Sequence, residues 1–417
     1  LKADLPLDVA RIAAALEAAR LLTSSSSNPS NPAVVEVAHE AIFGHWRLFR
    51  EWAERYRGEL ALQREAEHEA SQWTKAGRTK LRRWTWERQK PALEALRRLR
   101  QLQVQWPDPD FSDPGIATWR VVEPSLPVDS ALRDFLKPEP LALLDELERA
   151  DTTHQRREEI GLRLNQMGNP IRGVGLDVNG VPEVDWVDVP EGRVVLTTGT
   201  QQQLHVPPFR LARYPVTWAQ YRAFLVDPFG YSISDSRPRE KKKKMDWWQG
   251  CIRASNPGHL LWAFDSYPAV NVSWYDAVAY CRWLSWKLGF EVRLPTEWEW
   301  QWAAGGDQMY PWCGGWDHRF TNSMESGIGR TVAVGLYPPG RSPFKIHEMA
   351  GNVQEWCSNA FGQIELSEVT PYIPRATRGC SWSGVSRNWS VADRGSFDPD
   401  DRFTTLGFRL CCSSING

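Results

Sequence analysis

Arg378-Gly-Cys-Ser-Trp382 opens, and Gly407-Phe-Arg-Leu410 closes, the stretch whose reading decides the fold. Between these ends Trp382, Arg387, Ala392, Arg394, Pro399 and Arg402 form a frame, and Arg387, Arg394, Arg402 and Arg409 recur at intervals of seven, eight and seven. The frame is interleaved with Ser383, Gly384, Val385, Asp393, Gly395, Phe397, Phe403, Thr404 and Thr405, which share no chemistry. A core segment would alternate apolar and polar residues, and a catalytic one would carry a nucleophile, an acid or a metal ligand. This stretch does neither. The arginines therefore read as scaffold, planar guanidiniums bracing loops that lack a regular backbone ladder.

Outward from this stretch, the chain from Gly173 onward is rich in glycine, proline and tryptophan, with short strands and isolated helical patterns. Helices are expected over Thr217 to Leu225 and over Trp274 to Leu288, where Val278, Cys281, Leu284 and Leu288 share a face. A third is expected over Thr296 to Ala304, with Thr296 as N-cap and Glu299 completing a capping box. A fold with little regular structure must bury area through large side chains, so the 23 tryptophans read as core. Trp274, Trp298, Trp300, Trp356 and Trp382 are expected inside, and Trp389 is a candidate to line the binding surface.

The first ~150 residues read as helical, because apolar and charged residues recur at three- and four-residue spacing. Leu5 to Leu22 is a helix, Thr23 to Pro32 a loop, and Val34 begins a β-like run leading into a helix toward Trp73. A basic helix holds Arg82, Arg83, Arg97, Arg98 and Arg100, Pro107 to Pro114 breaks the pattern, and short helices resume over Asp129 to Leu147 and Thr153 to Met167. The predicted class is α+β: a mainly helical N-terminal domain over 1–150, a helical linker over 151–184, and a mixed domain over 185–413 with a variable region at 378–410.

The 417 residues carry 50 basic and 51 acidic side chains, a formal net charge of −1, which argues against nucleic acid as a partner. No apolar run reaches the ~18 residues of a membrane span, so no membrane partner and a cytoplasmic location are expected. Seven cysteines without a CxxC pair read as reduced, mostly buried thiols. The chain opens on Leu1 and is read as a piece of something longer.

Seven strings stand in a recognisable order: Pro215-Val-Thr-Trp-Ala-Gln-Tyr221, Val272-Ser-Trp-Tyr-Asp-Ala-Val-Ala-Tyr-Cys281, Arg293-Leu-Pro-Thr-Glu-Trp-Glu-Trp300, Tyr310-Pro-Trp312, Met349-Ala-Gly-Asn-Val-Gln-Glu-Trp356, Arg378-Gly-Cys-Ser-Trp382 and Gly407-Phe-Arg409. With them, residues from about 171 to 410 resemble the formylglycine-generating-enzyme (sulfatase-modifying factor) family, which implies a C-type lectin fold. Within it the C-terminal stretch resembles the variable region of proteins diversified by diversity-generating retroelements. Those proteins keep a frame of Arg, Trp and Pro and mutate the adenines of AAC codons. Such changes reach Ser, Gly, Val, Asp, Phe and Thr, and every one of the nine interleaved residues belongs to that set. Val35-Glu-Val-Ala-His-Glu-Ala41, with Trp46, Trp52 and Trp73, resembles the winged-helix-type segment that follows the nucleotide-binding domain of STAND-type signalling ATPases. The Gly-rich Lys-Ser/Thr loop of such a domain is absent from the sequence.

The resemblance implies a test of catalysis. The family's founding oxidase uses two cysteines after the Trp of its RGGSW string to bind copper(I) and attack a thiol. The matching positions here are Gly384 and Trp389, neither of which binds a metal. Cys380 reads as a buried structural thiol. The iron of the sulfoxide-synthase branch would need helical ligands on one face, and His39 and His45, with Glu40 between them, are six residues apart. Asn352 and Glu355 are the candidate ligands of a structural calcium ion, against the favoured alternative that Glu355 pairs with Arg409.

The expectation is thus a receptor module without catalytic residues or a resident cofactor. Its changing ligands are expected to be proteins and to meet the nine interleaved positions, held by a scaffold of Trp382, Arg387, Arg394, Arg402, Arg409, Asn352, Glu355 and Trp356. A link to an NTPase signalling module follows from the N-terminal resemblance. The rival readings are a metal-dependent oxidase and a signalling element docking a fixed partner.

Overall fold

The computed structural model describes residues 22–25, 34–37, 51, 54–79, 83–104, 110–128, 130–197, 201–231, 247, 264–363, 372–384 and 389–413. Residues 5–21, His39, Glu40, His45, Val385 and Arg387 lie outside the described residues. Contacts divide the chain into two compact units, Leu1–Val104 with Thr118–Leu136, and Gln105–Ala117 with Lys137–Gly417.

In the first unit β1 (Leu22–Ser25) pairs antiparallel with β2 (Val34–Val37). Thr23 to Ser25 are therefore strand where their polar composition reads as loop, because cross-strand pairing and not residue preference sets them. α1 (Arg57–Lys75) buries Ala66, Ala70 and Trp73, an i, i+4, i+7 stripe. α2 (Trp86–Leu99) buries Trp86, Gln89, Leu93 and Leu96 along the same kind of stripe. Phe135 of α4 (Ala131–Leu136) fills the space between Trp73 and Trp84, at ring-centroid distances of 5.7 and 5.3 Å. Gln89 donates its amide to the Phe135 carbonyl at 2.9 Å. α3 (Pro114–Val122), whose residues are divided between the two units, begins at the last residue of the segment 107–114 that the sequence marks as a break. Its first residue is Pro114, whose fixed φ suits a first helical turn, and Gly115 N–H donates to Asp113 Oδ1 at 2.7 Å.

The second unit begins with α5 (Glu139–Leu147) and α6 (His154–Gln166), the latter capped by Thr153. β3 (Trp186–Val189), the hairpin β4 (Gly192–Thr197) and β5 (Gln201–Val206), and β6 (Phe209–Ala212) follow. α7 (Trp218–Val226), α8 (Trp274–Leu288) and α9 (Glu297–Ala304) come next, each started by a two-way capping box: Thr217 with Gln220, Ser273 with Asp276, Thr296 with Glu299. The chain closes with β7 (Gln354–Ala360), β8 (Arg375–Arg378), β9 (Gly395–Phe397), β10 (Leu406–Phe408) and β11 (Cys411–Ser413). One sheet runs β10-β7-β8-β9, with β10 parallel to β7 and the other pairs antiparallel, and a second runs β11-β6-β3. The class is α+β, a C-type lectin fold of the formylglycine-generating type.

Residues 151–184, which read as a linker, belong to this core. Ile160 and Leu164 of α6 are buried in one apolar cluster with Leu147, Trp218, Tyr221, Trp274 and Leu336. A Cβ on Gly161 would lie 2.8 Å from Leu336 Cδ1, so α6 approaches its neighbour as closely as only glycine allows. Arg157, fully buried, donates to the carbonyls of Leu147, Arg149, Thr152 and Leu336. No described helix is long and apolar enough to cross a membrane.

Candidate functional site

Among the described residues, Arg394, Arg402 and Arg409 of the frame, and Arg378 at its head, each reach a carboxylate or carbonyl on another element. Arg409 and Glu355, both fully buried, meet at 2.6 Å through two nitrogens, and Trp300 donates its indole N–H to Glu355 Oε2 at 2.8 Å. Arg409 also donates to the carbonyls of Ala212 and His347 at 3.1 and 2.9 Å, tying β10 and β11 to β6. Arg394 grips Glu297, the first residue of α9, at 2.7 and 2.6 Å. Arg402 reaches Asp276 at 2.5 Å, the same carboxylate that closes the capping box of α8. Arg378 donates to the carbonyls of Val391, Ala392 and Asp393 at 3.3, 3.0 and 3.2 Å, and to Gln301 at 2.8 Å.

Such fork-shaped donors satisfy several acceptors at fixed angles, so the loops after β8 and β9 are held without a backbone ladder. Sequence reading did not single out Glu297, Asp276, Gln301 or the role of Arg378. Two of the partners were visible as signals: Asp276 is the third residue of a capping box, and Glu297 opens a helix predicted from Thr296.

The interleaved residues are placed differently. Ser383, Asp393, Phe403 and Thr404 are exposed, and Gly384, Gly395, Phe397 and Thr405 are half-buried. Their backbones are pinned: Asn271 N–H donates to Phe403 O at 2.9 Å, Gln354 N–H to Thr405 O at 2.9 Å, and Met324 N–H to Gly384 O at 3.2 Å, while the Ser383 hydroxyl lies 3.0 Å from Ser381 Oγ. Phe397 and Phe403 pair at a centroid distance of 4.9 Å, and Phe397 rests edge-on against Trp356 at 6.2 Å. Trp382 is half-buried and donates its indole N–H to Thr404 O at 3.4 Å. The Asp393 carboxylate accepts from Ser390 N–H at 2.8 Å.

Several positions depart from the sequence reading, among them Trp298 and Trp382, expected inside and only half-buried. Gly395 is not free: a Cβ there would fall 2.5 Å from Gln354 Nε2 and 2.7 Å from Thr377 Oγ1, which are hydrogen-bonded to each other at 2.8 Å. Trp389 is buried in the second apolar cluster with Trp300, Trp312 and Met349 and lines no surface. Ala392 of the frame is exposed, contributing only its carbonyl to Arg378.

The candidate calcium ligands do not fit that ion. Asn352, at φ +64°, accepts from Val332 N–H at 3.0 Å and Asn322 Nδ2 at 3.3 Å and donates to Val332 O at 3.2 Å. Both Glu355 oxygens are taken by Arg409, and Oε2 also by Trp300. Neither residue offers an oxygen to a hard cation without breaking a buried network.

Residues 178–414, more than half of the 417, match the sulfatase-modifying factor enzyme 1-like domain. The chain belongs to the sulfatase-modifying factor enzyme 1-like family. Residues 1–107 match a second family, Novel STAND NTPase 1. One relative in the first family, the inactive C-alpha-formylglycine-generating enzyme 2 of Bos taurus, is 28% identical over 296 residues, covering 59% of this chain and 93% of the relative. The formylglycine-generating enzyme of Streptomyces coelicolor is 36% identical over 171 residues, 34% of this chain and 52% of that enzyme. Among solved structures, variable protein 1 of Treponema denticola aligns over 56% of this chain and 96% of its own, with a TM-score of 0.42 and 21% identity.

In this member of the family, the positions matched to the copper-binding cysteine pair hold half-buried Gly384 and buried Trp389. The nearest thiol in sequence, Cys380, accepts Gly351 N–H at 3.2 Å, and burial pushes it up to about 12, so it is a poor source of thiolate.

Proposed function

We propose that this chain is the ligand-binding part of a receptor rather than an enzyme. Its C-terminal surface is diversified by a retroelement to recognise changing protein ligands, and its N-terminal part links that surface to an NTPase signalling module. One observation carries the reading: between Arg378 and Leu410 the described frame arginines, Arg394, Arg402 and Arg409, are held by buried carboxylates and carbonyls, while Ser383, Asp393, Phe403 and Thr404 stand exposed on pinned backbones. A paratope needs that separation, because residues that vary must not carry the fold. Phe403, packed at a tilt of 52° against Phe397, supplies a rigid apolar anchor, and the short polar side chains supply adaptable hydrogen bonding.

The test is at the gene. Sequencing should find, near a reverse transcriptase, a second copy of the codons for residues 378–410 that differs at template adenines. Populations of the gene should then vary at the interleaved positions and nowhere in the frame. A solitary gene whose interleaved codons are invariant across populations would overturn the reading in favour of a fixed-partner docking domain.

A further inference from the structure

Away from the C-terminal surface, two histidines 164 residues apart in sequence are brought ring to ring: His154 Nε2 lies 3.1 Å from His318 Nδ1, with the ring centroids 5.4 Å apart. His154 is the first residue of α6, and His318 opens the 3-10 turn His318–Phe320, which Asp317 caps. On the inner side His154 Nδ1 stands 2.9 Å from Tyr337 Oη, and the guanidinium of buried Arg157 lies 5.1 Å from the Tyr337 ring centroid. On the outer side His318 is exposed to solvent.

Two ring nitrogens facing each other at this distance share one proton. In a tetrahedral zinc site, with metal–nitrogen bonds of about 2.0–2.1 Å, two ligand nitrogens stand about 3.3 Å apart. A few tenths of an ångström therefore separate the hydrogen-bonded pair from a metal-bridged one. We propose that His154 Nε2 and His318 Nδ1 together bind a divalent transition-metal ion of the zinc, copper or nickel class.

Imidazole suits these ions, whereas calcium and magnesium want oxygen. Tyr337 Oη, 2.9 Å from His154 Nδ1, holds the ring in place, and the tautomer with its proton on Nδ1 leaves Nε2 as ligand. Burial, then the neighbouring His318 and Arg157, lower His154 to about 4, so its ring is neutral and available at neutral pH. The charged groups facing the pair oppose one another: Arg157 disfavours an added cation, and Asp317, itself held by Arg319, favours it. Among the described residues no cluster of three or more His, Cys, Asp or Glu side chains surrounds a common point. The remaining coordination positions fall to water, and the ion acts as a clip between the start of α6 and the 317–320 turn.

The experiment uses the untagged full chain, titrated near neutral pH with zinc by calorimetry and with copper(II) by electron paramagnetic resonance. The expected result is one ion per chain, two coordinated imidazole nitrogens, and a zinc-dependent rise in Tm. His318→Ala, at an exposed position, should keep the metal-free Tm, weaken binding by about tenfold or more and lose one nitrogen from the spectrum. His154→Gln should do the same, and His205→Ala, a change at another exposed histidine, should change nothing. Unchanged affinity and nitrogen count in His318→Ala, or no stoichiometric binding to the native chain at about 100 µM metal, would overturn the proposal.

Discussion

Glu348 precedes β7 and Glu355 lies within it, and their surroundings give them opposite jobs. Glu355 spends both oxygens on Arg409 and the Trp300 indole. Glu348, at φ +53°, receives one hydrogen bond, from Gly335 N–H at 2.7 Å, and burial lifts its carboxyl from 4.5 to about 8. The folded chain thus keeps a proton that the unfolded chain releases. The stability attached to that proton is fully present below pH 4.5, declines as pH rises, and is gone above about 8. Glu348→Gln, neutral at every pH, should match the native chain near pH 4.5 and exceed it above pH 8 by about 3–5 kcal/mol. Urea unfolding at the two pH values measures this, and a difference independent of pH would show that Glu348 is ionised in the fold. At this scale the sequence was legible where two halves of a pair sit in recognisable strings, as Glu355 and Arg409 do. It was opaque for Arg394 and Arg402, whose partners Glu297 and Asp276 are brought near only by the tertiary fold.

At the scale of elements, what could be read was what is local. The helix starts at Thr217 and Thr296 follow from a cap and its partner three residues on, a contact that needs no other part of the chain. β1 could not be placed so, since a cross-strand partner makes it; α6 was legible over Thr153 to Met167, but its place in the core was not, since burial against Leu336 decides that. The same distinction divides the interleaved positions. Gly395 sits in β9 opposite Thr377 of β8, where a side chain must displace the hydrogen bond between Gln354 and Thr377. Thr404 lies outside any strand with its side chain exposed. Gly395→Phe should therefore cost about 1–3 kcal/mol by overpacking, whereas Thr404→Phe should stay within about 0.5 kcal/mol of the native chain. Chemical denaturation of the two variants decides it. Equal stabilities would mean that Gln354 swings aside freely and that Gly395 is as open to variation as its neighbours.

For the whole molecule, the question is where the lectin-fold part begins as a folding unit. The family match starts at residue 178, and composition changes near Gly173, so a boundary close to 185 is natural from sequence. The packing argues for an earlier one. Leu143 and Leu147 of α5 and Ile160 and Leu164 of α6 are buried in the same apolar cluster as Trp218, Tyr221 and Leu336. Each large aliphatic side chain so buried contributes about 1.5–3 kcal/mol, so the four together are worth roughly the whole net stability of a domain, about 5–15 kcal/mol. Arg157 adds a second reason, because its removal frees the carbonyl of Leu336 inside the core. A fragment of residues 137–413 should unfold cooperatively, whereas 185–413, which keeps every strand of the lectin fold, should lack a sharp transition and bind a hydrophobic dye. Calorimetry of the two fragments is the measurement. If 185–413 melted as sharply and as high as 137–413, α5 and α6 would be an appendage. If it does not, the helices that lead into the lectin fold are part of the body that holds the loops between Arg378 and Leu410 in place.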